Sequence, residues 1–323
     1  MKRGILIVLA IAISWFFASR APAAEQYPTK PVTFVVSAGP GGMSDVTARL
    51  FAEKFKAELG QPVLVVNKPG AAGSLSLKYI LGEKADGYTI LIGGLTESFV
   101  SPYFLGSEPF DFKDMSFVGS YMPQTRVLFT TPDKPYKSFQ EFLAFAKKHP
   151  GEISAGSGGT QWALAIIKSI AAKDGLKMKY VMFQSGGEAS TAILGKHVDV
   201  CETGTGTPAF QAARDGKLTF LISLSEDPVP YFPNAINVKQ LGYPFVTSME
   251  YGLVMRAGTP EFARKKLEDT LRKVVNDPQV KETLTGMGLT PRFLEGKEFE
   301  KVGADAVKSV PELIKYIKPV EEG

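Results

Sequence analysis

Apolar residues follow two alternating patterns along most of the chain. Short runs rich in Val, Ile and Phe, such as Val32–Ser37 and Val63–Val66, predict buried strands. Between these two runs, apolar residues recur at three- and four-residue spacing from about Asp45 to Leu59, which predicts an amphipathic helix. Strands that alternate with helices favour parallel pairing through crossover helices, as in an α/β fold.

The alternation occurs twice, which predicts two α/β lobes, each a mostly parallel sheet flanked by helices. We expect lobe 1 to comprise residues 24–124 and lobe 2 residues 125–246, with residues 247–323 returning to lobe 1 as C-terminal helices. A turn is predicted at Gly156–Gly159, and breaks in the C-terminal helical region at Pro278, Gly286–Pro291 and Pro311. Further strands are predicted at Tyr88–Ile92, Val127–Thr130, Ile153–Ala155, Met178–Phe183, Val198–Cys201, Leu218–Leu224 and Tyr251–Met255.

The N-terminus has the three parts of a secretory signal peptide. Lys2 and Arg3 precede an apolar stretch of about fifteen residues, and Ala21-Pro22-Ala23 provides a small-residue cleavage site. We therefore expect residues 1–23 to be removed and the protein to be periplasmic, an uncleaved anchor being the alternative. No other segment approaches the roughly 18 apolar residues that a membrane helix needs.

Composition and charge exclude several classes of protein. The 323 residues are 44% hydrophobic and 22% charged, as in globular proteins rather than disordered chains or coiled coils. Residues 1–23 contain three of the 37 basic residues and no acid, which leaves 34 basic against 33 acidic residues, too balanced for a nucleic-acid binder. Cys201 is the only cysteine, so no intramolecular disulfide or cysteine-based zinc site can form. His149 and His197 lie beside turn glycines, and we interpret both as surface residues and expect no metal.

Three glycine-containing turns share one design, in which a predicted strand leads into a helix. They are Gly39–Asp45, Gly156–Thr160 and Ser185–Glu188. Each places backbone N–H groups at a helix N-terminus, where partial positive charge favours an anion, and glycine lets a ligand approach the backbone. Each turn taken alone could equally be a plain capped connection. None contains a P-loop or a Gly-x-Gly-x-x-Gly motif, so we expect no nucleotide cofactor.

Many short motifs, in order along the chain, resemble the Bug-type extracytoplasmic solute receptors. These receptors are the substrate-binding proteins of tripartite tricarboxylate transporters. The motifs are Tyr27-Pro28-Thr29-Lys30-Pro31-Val32, Pro40-Gly41-Gly42-x-Ser44-Asp45-x-x-Ala48-Arg49, Leu59-Gly60-Gln61-Pro62-Val63, Asn67-Lys68-Pro69-Gly70-Ala71-Ala72-Gly73, Asp86-Gly87-Tyr88-Thr89, His149-Pro150-Gly151, Leu194-Gly195-x-x-Val198-Asp199 and Tyr251-Gly252-Leu253-x-x-x-Ala257-Gly258-Thr259-Pro260.

The resemblance implies a two-lobed periplasmic-binding-protein fold that closes around a small carboxylate, and membrane transporter subunits as partners. It places the binding loops at residues 39–45 in lobe 1 and at residues 157–161 and 185–188 in lobe 2. The turns Ala71–Ser74 and Thr96–Ser98 are expected to line lobe 1, and we expect a monomer. The expected ligand-binding residues are Gly41, Gly42, Met43, Ser44, Asp45, Ala72, Thr96, Ser157, Gly159, Thr160, Gln161, Ser185, Gly186, Gly187, Glu188 and Glu202.

Several positions depart from the family pattern. Met43 replaces a frequent glycine, and Trp162 follows a second loop that lacks the usual continuation, so Trp162 either shapes the pocket or belongs to the core. Arg126 could pair with a ligand carboxylate or be a surface arginine. Three acids, Glu97, Glu188 and Glu202, lie near the expected cleft and argue against a simple polyanion as ligand.

Three functions remain open on the sequence. The first is a periplasmic solute-binding protein that delivers an organic carboxylate to a membrane transporter. The second is a ligand sensor that docks on a membrane kinase. The third, an enzyme, is disfavoured because no nucleophile–base pair and no Gly-x-Ser-x-Gly elbow is present.

Overall fold

Two β-sheets organise the part of the chain that the computed structural model describes, which comprises residues 26–158, 161–247 and 249–316. The predicted signal peptide, residues 1–23, lies outside this part, as do Gly159 and Thr160. The two sheets and the helices on their faces confirm the α/β class.

The first sheet has six strands in the order β11-β4-β10-β3-β1-β2. The β1 run Val-Thr-Phe-Val-Val is almost entirely buried, as expected for a strand with both faces covered. The strands are β1 (Val32–Val36), β2 (Val63–Asn67), β3 (Thr89–Gly94), β4 (Met115–Gln124), β10 (Met249–Arg256) and β11 (Leu294–Glu295).

The second sheet has five strands in the order β7-β6-β8-β5-β9. The chain passes from β4 to β5 at a single residue, Thr125, and returns to the first sheet between β9 and β10. The strands are β5 (Arg126–Thr130), β6 (Ser154–Gly158), β7 (Lys179–Phe183), β8 (Val200–Gly204) and β9 (Thr219–Ser223).

Helices connect the strands and cover the sheets. The first helix ends at Gly60, which adopts the left-handed conformation (φ 68°) that a helix C-terminus commonly uses. In chain order the helices are α1 (Met43–Leu59), α2 (Ser74–Gly82), α3 (Leu95–Leu105), α4 (Phe139–Lys148), α5 (Gln161–Asp174), α6 (Gly186–Leu194), α7 (Pro208–Arg214), α8 (Glu261–Asn276), α9 (Pro278–Gly286) and α10 (Gly296–Ile314).

The sheets are mixed rather than mostly parallel. Strands joined by crossover helices pair in parallel, β1 with β2 and β3, and β6 with β7 and β8. One strand of each sheet runs the other way: β10 is antiparallel to β3 and β4, and β5 is antiparallel to β8 and β9. The sequence pattern missed β4 because its ten residues include Gly119, Ser120 and Gln124, which interrupt the apolar run.

The predicted turn at Gly156–Gly159 is wrong over its first three residues, which belong to β6. These glycines allow close packing rather than a turn. A Cβ atom at Gly156 would lie 2.9 Å from the Cys201 sulfur, and one at Gly158 would lie 3.0 Å from the Gly186 Cα atom. The absence of side chains therefore lets α6 pack directly on the strand.

Two helices differ from the sequence prediction because tertiary packing outweighs a local signal. The predicted turn at Thr96–Ser98 is the first turn of α3, and α3 continues through Pro102. The predicted break at Pro311 does not occur, since α10 runs through Pro311 to Ile314. Val310 and Leu313 flank that proline and are fully buried, and their packing holds the helix together.

One core cluster includes residues from both sides of the molecule. Val100 of α3 and Val310 of α10 lie in the same buried cluster as Trp162 and Ile166 of α5. Trp162 is 1% exposed, and it is therefore a core residue rather than part of the pocket wall. Helix α10 thus packs against both the first-sheet helix α3 and the second-sheet helix α5.

Candidate functional site

A cavity of about 970 Å³ lies between the two sheets and is lined by residues from both. Its walls are the loops that follow the carboxyl ends of strands, where ligands bind in open α/β sheets. The lining residues are Ser37, Ala38, Gly39, Pro40, Gly41, Gly42, Met43, Ser44, Val46, Pro69, Gly70, Ala72, Gly73, Gly94, Glu97, Gln124, Arg126, Gly158, Gln184, Ser185, Gly186, Gly187, Gly206, Thr207, Pro208, Met249, Tyr251 and Met287.

The N-terminus of α1 forms one wall. Gly42 occupies the N-cap position, and no side chain caps this helix. The first-turn N–H groups of a helix have no partner within the helix. At the start of α1 the Asp45 N–H donates to the Gly42 carbonyl (2.9 Å). The N–H groups of Met43 and Ser44 precede it at the cavity surface, in the positive field of a 17-residue helix.

Asp45 fixes the loop before α1 from behind rather than facing the cavity. Its carboxylate accepts hydrogen bonds from the Gly41 N–H (2.9 Å), the Arg49 guanidinium (2.9 and 3.1 Å) and the Asn67 amide (2.9 Å). These partners, the Arg49 guanidinium above all, lower the pKa of Asp45 to about 2. Gly41 can meet this carboxylate because it adopts φ 79°, a conformation that glycine tolerates best.

The loop after β2 forms a second part of this wall and contains backbone strain. Ala71 and Ala72 have φ of 45° and 50°, in the left-handed region that non-glycine residues rarely occupy. The Ala71 carbonyl accepts hydrogen bonds from the Ser74 hydroxyl (2.9 Å) and the Ser101 hydroxyl (3.3 Å), which hold the loop in place. Strained residues of this kind concentrate at functional sites.

Polar side chains form the floor where the two sheets meet. The Tyr251 hydroxyl donates to the Gln124 side-chain carbonyl (3.3 Å), and the Gln124 amide donates to the Thr205 carbonyl (3.1 Å) in the turn after β8. Burial raises the pKa of Tyr251, so its hydroxyl stays protonated. Beside it, the Gly94 N–H donates to the Ser44 hydroxyl (3.4 Å), which joins the starts of α3 and α1.

The opposite wall begins at α6. Ser185 is its N-cap, and the Ser185 hydroxyl accepts from the Glu188 N–H (3.2 Å), while the Glu188 carboxylate accepts from the Gln184 N–H (2.9 Å). This reciprocal arrangement orients the turn. Gly186 and Gly187 follow at the cavity surface without side chains.

Arg126 lines the cavity, but its guanidinium is already engaged. The Arg126 Nε atom donates to the Glu202 carboxylate, and the Nη2 atom donates to the Gly158 carbonyl (3.0 Å). The second Glu202 oxygen accepts from the Ser157 hydroxyl (2.8 Å). Arg126 is 4% exposed and Glu202 is fully buried, so the two charges compensate each other beneath the cavity surface.

The structure brings eight of the predicted ligand-binding residues to the cavity surface: Gly41, Gly42, Met43, Ser44, Ala72, Ser185, Gly186 and Gly187. It places six others away from that surface: Asp45, Thr96, Ser157, Gln161, Glu188 and Glu202. Thr96 is fully buried, and its hydroxyl accepts from the Glu250 N–H (3.0 Å). Gly159 and Thr160 lie outside the described residues, and ligand contact itself stays a prediction for every position.

Sequence reasoning missed much of the floor. Gln124, Tyr251 and Ser37 lie at strand ends far apart in the sequence, and the family motif that begins at Tyr251 did not reveal its place in the cavity floor. Gly206 and Thr207 open α7, which the sequence pattern did not predict. The Thr-Pro pair at its start is an N-terminal helix signal that could have identified this turn.

The described part of the chain contains neither a candidate metal site nor a helix that could span a membrane. Across residues 26–158, 161–247 and 249–316, no three His, Cys, Asp or Glu side chains group to hold a metal ion. Within the same ranges, no helix is both long and apolar enough to cross a bilayer. His149 stacks on Phe145 and His197 is exposed, and neither lines the cavity.

The family model of the tripartite tricarboxylate transporter family receptor matches residues 47–318. The chain belongs to this family. The match confirms the resemblance to Bug-type solute receptors, because it spans most of the chain and includes strands of both sheets.

Individual proteins are similar to this chain over most of their length. The UPF0065 protein in the gbd 5′ region of Cupriavidus necator is 29% identical over 296 residues, which cover 91% of this chain and 89% of that one. The periplasmic binding protein BugD is 25% identical with a TM-score of 0.74, over 90% of this chain and 98% of that one. MatC from Rhodopseudomonas palustris, solved with bound malate, has the same fold: 22% identity, TM-score 0.74, over 89% and 100% of the two chains.

The hydrogen bonds of the Asp45 carboxylate predict a pH dependence of the free energy of unfolding that a substitution of Asp45 should reduce. Because the pKa of Asp45 is lowered to about 2, its ionised form stabilises the fold above about pH 4, and this contribution is lost as the pH falls towards 2. In receptor Asp45→Asn, the free energy of unfolding should fall less steeply between pH 4.5 and pH 2.5 than in the parent. Urea denaturation at stepped pH measures this slope.

The control is Asp269→Asn, which removes an exposed carboxylate paired with Lys265 on α8. Its slope should match that of the parent. An Asp45→Asn slope equal to the parental one would contradict the network.

The buried ion pair predicts strong non-additivity. Arg126→Met alone should lower the free energy of unfolding by about 3–5 kcal/mol, because it leaves the Glu202 charge buried without its partner. The double variant Arg126→Met/Glu202→Met should lose much less than the sum of the two single variants. A double-mutant cycle from urea denaturation measures the coupling, and additive losses would show that the two groups do not depend on each other.

Proposed function

We propose that this receptor captures a small organic carboxylate in the cavity between the sheets, without converting it, and delivers it to a membrane transporter. The observation that carries the proposal is the cavity itself, whose walls are strand-to-helix turns from both sheets. The family supplies the transport context, since its receptors serve tripartite transporters.

The energetics favour a ligand that contacts both walls. A micromolar dissociation constant requires about 8 kcal/mol. One helix N-terminus contributes only about 0.3–1 kcal/mol when exposed, and about 2 kcal/mol when partly buried. Each hydrogen bond to a charged group adds about 1.5–3 kcal/mol. With two such hydrogen bonds at each turn, one helix start reaches the required sum only at the upper limit of both ranges. The starts of α1 and α6 acting together reach it well within those ranges.

Contact with both walls implies that the two lobes move relative to each other when the ligand binds. A ligand that contacts both walls binds a closed arrangement of the lobes better than an open one, and so shifts the population towards closure. Met43 already packs closely against Gly206 on the opposite wall, since a Cβ atom added at Gly206 would lie only 2.6 Å from the Met43 Cε atom. Closure also excludes water, which strengthens each polar contact.

We further propose that the receptor is exported to the periplasm and acts there as a monomer. The signal-peptide pattern in residues 1–23 and the periplasmic location of the relative BugD support a periplasmic site of action. The chain then carries out its function at the outer face of the transporter.

A side chain at the start of α6 should weaken ligand binding without disturbing the fold. At Gly187 a Cβ atom would meet only the Ser185 hydroxyl, at 3.6 Å, which is ordinary contact. In Gly187→Val the branched side chain stands at the cavity surface, and we expect at least a tenfold loss of affinity for a carboxylate that binds the parent. Isothermal titration with malate, succinate and adipate identifies and measures that carboxylate.

The matched control is Gly82→Val, at the exposed end of α2, where a Cβ atom has open space. It should bind like the parent. The monomethyl ester of the bound acid should bind much less tightly, because it loses a negative charge. An ester that binds as well as its acid, or a Gly187→Val receptor with parental affinity, would contradict the proposed contact.

Export predicts a shortened periplasmic product. We expect cleavage near Ala23 or Ala24, because the apolar stretch is followed there by small residues. Intact mass spectrometry of the periplasmic fraction measures the N-terminus. A membrane-bound product that retains Met1 would show that the segment is an anchor.

A further inference from the structure

A segment of the first lobe reaches the second lobe on one side of the cavity. It comprises residues 285–292, which run from the last turn of α9 towards β11. Leu289 packs in the core of the first lobe, and the Arg292 N–H donates to the Tyr121 carbonyl of β4 (3.0 Å), so the segment is fixed to the first sheet. Its other side faces α7 and the loop after β9, which belong to the second lobe.

Two glycines bring the lobes into close contact there. A Cβ atom added at Gly288 would lie 2.6 Å from the Phe210 Cε1 atom of α7, and one added at Gly206 would lie 3.0 Å from the Leu289 Cδ2 atom. Phe210 is 1% exposed and packs in a core cluster of the second lobe, so its ring has little room to move away. The close approach of the lobes therefore depends on the absence of side chains at these two positions.

Two polar contacts cross the same boundary. The Tyr231 hydroxyl of the second lobe donates to the Thr285 carbonyl (2.9 Å). The Arg292 guanidinium donates to the Asp227 carboxylate of the second lobe (2.7 Å) and also to the buried Glu250 carboxylate of β10. Tyr231 is 48% exposed and the Arg292 side chain is 40% exposed, so water can replace both contacts when the lobes separate.

We propose that residues 285–292 form a latch, which holds the two lobes together on this side of the cavity when no ligand is bound. The close contact of Gly288 with Phe210 forms only when the lobes meet, and the exposed polar contacts are reversible, as a latch requires. Of residues 285–292, all of which the structure describes, Met287 alone lines the cavity, so the latch acts mainly outside the surroundings of a ligand.

The latch goes beyond the proposed function, because it concerns the ligand-free receptor and does not depend on which solute binds. A receptor whose closed form is already populated binds any ligand of that form more tightly, since the apparent dissociation constant falls as the competent fraction rises. The latch therefore sets the affinity of the receptor without contributing most of the ligand contacts.

Spin labels on the full receptor measure the closure directly. Lys78→Cys on α2 and Thr191→Cys on α6 carry the labels, because both positions are exposed and the two helices begin at opposite walls of the cavity. The native Cys201 is fully buried. Double electron–electron resonance without ligand gives the distribution of label distances, and we expect the distance of this structure to dominate. A ligand-free receptor with only longer distances would overturn the inference.

Gly288→Ala should open the latch, because its methyl group would meet the buried Phe210 ring. We expect it to at least double the population of longer distances. The matched control is Gly216→Ala, which follows the end of α7 with φ 74°, close to the 79° of Gly288, and has open space at its Cβ position. This control should keep the parental distribution, and equal distributions in the parent and both folded variants would overturn the inference.

Tyr231→Phe removes one hydroxyl at an exposed position and keeps the latch testable if Gly288→Ala does not fold. We expect it also to at least double the population of longer distances, because the bond to the Thr285 carbonyl is lost. Tyr180→Phe removes a hydroxyl from β7 within the second lobe and should leave the distribution unchanged. Without a folded Gly288→Ala receptor, a parental distribution in Tyr231→Phe would overturn the inference. Failure of every carboxylate to bind would contradict the proposed function and leave this measurement unaffected.

Discussion

The buried pair of Arg126 and Glu202 determines what the cavity can present to a solute. Arg126 begins β5, one residue after the chain leaves the first sheet, and Glu202 lies on the neighbouring strand β8. Once both charges are removed from water, each is stabilised only by the other. The ion pair therefore links the junction of the two sheets to the interior of the second sheet. Because the Arg126 guanidinium is neutralised by this pairing, the positive potential at the cavity surface comes from the helix N-termini of α1 and α6.

Backbone groups suit a receptor of this kind. Helix N-termini provide direction and modest charge without a long side chain that must be ordered when the ligand binds. The glycines at the starts of α1 and α6 keep those groups accessible. Asp45, away from the cavity surface, and Ser185, at that surface, hold the two turns in shape. The result is a well-ordered surface on each wall of the cavity.

Local patterns in the sequence were sufficient for the strand–loop–helix units and for the turns at Gly41 and Gly187. They failed where contacts between residues far apart in the sequence determine the structure. Glu202 and Ser157 were expected at the ligand, yet they serve Arg126, whose position in the fold no nearby residue reveals. Pro311 was expected to end a helix, but buried neighbours carry α10 past it. Gln124 and Tyr251, 127 positions apart, meet only because β4 and β10 pair, and a single sequence contains no trace of that meeting.

The core cluster shared by α3, α5 and α10 has a consequence for the order in which the chain can fold. Its members extend from Val100 to Leu313, so the cluster stays incomplete until nearly all of the chain has been synthesised. At about 5–20 residues per second, the interval between these two residues is on the order of ten to forty seconds. During that interval the nascent chain lacks the helix that joins its two halves. The cluster that joins the two halves therefore cannot form until α10, near the C-terminal end of the described chain, has been synthesised.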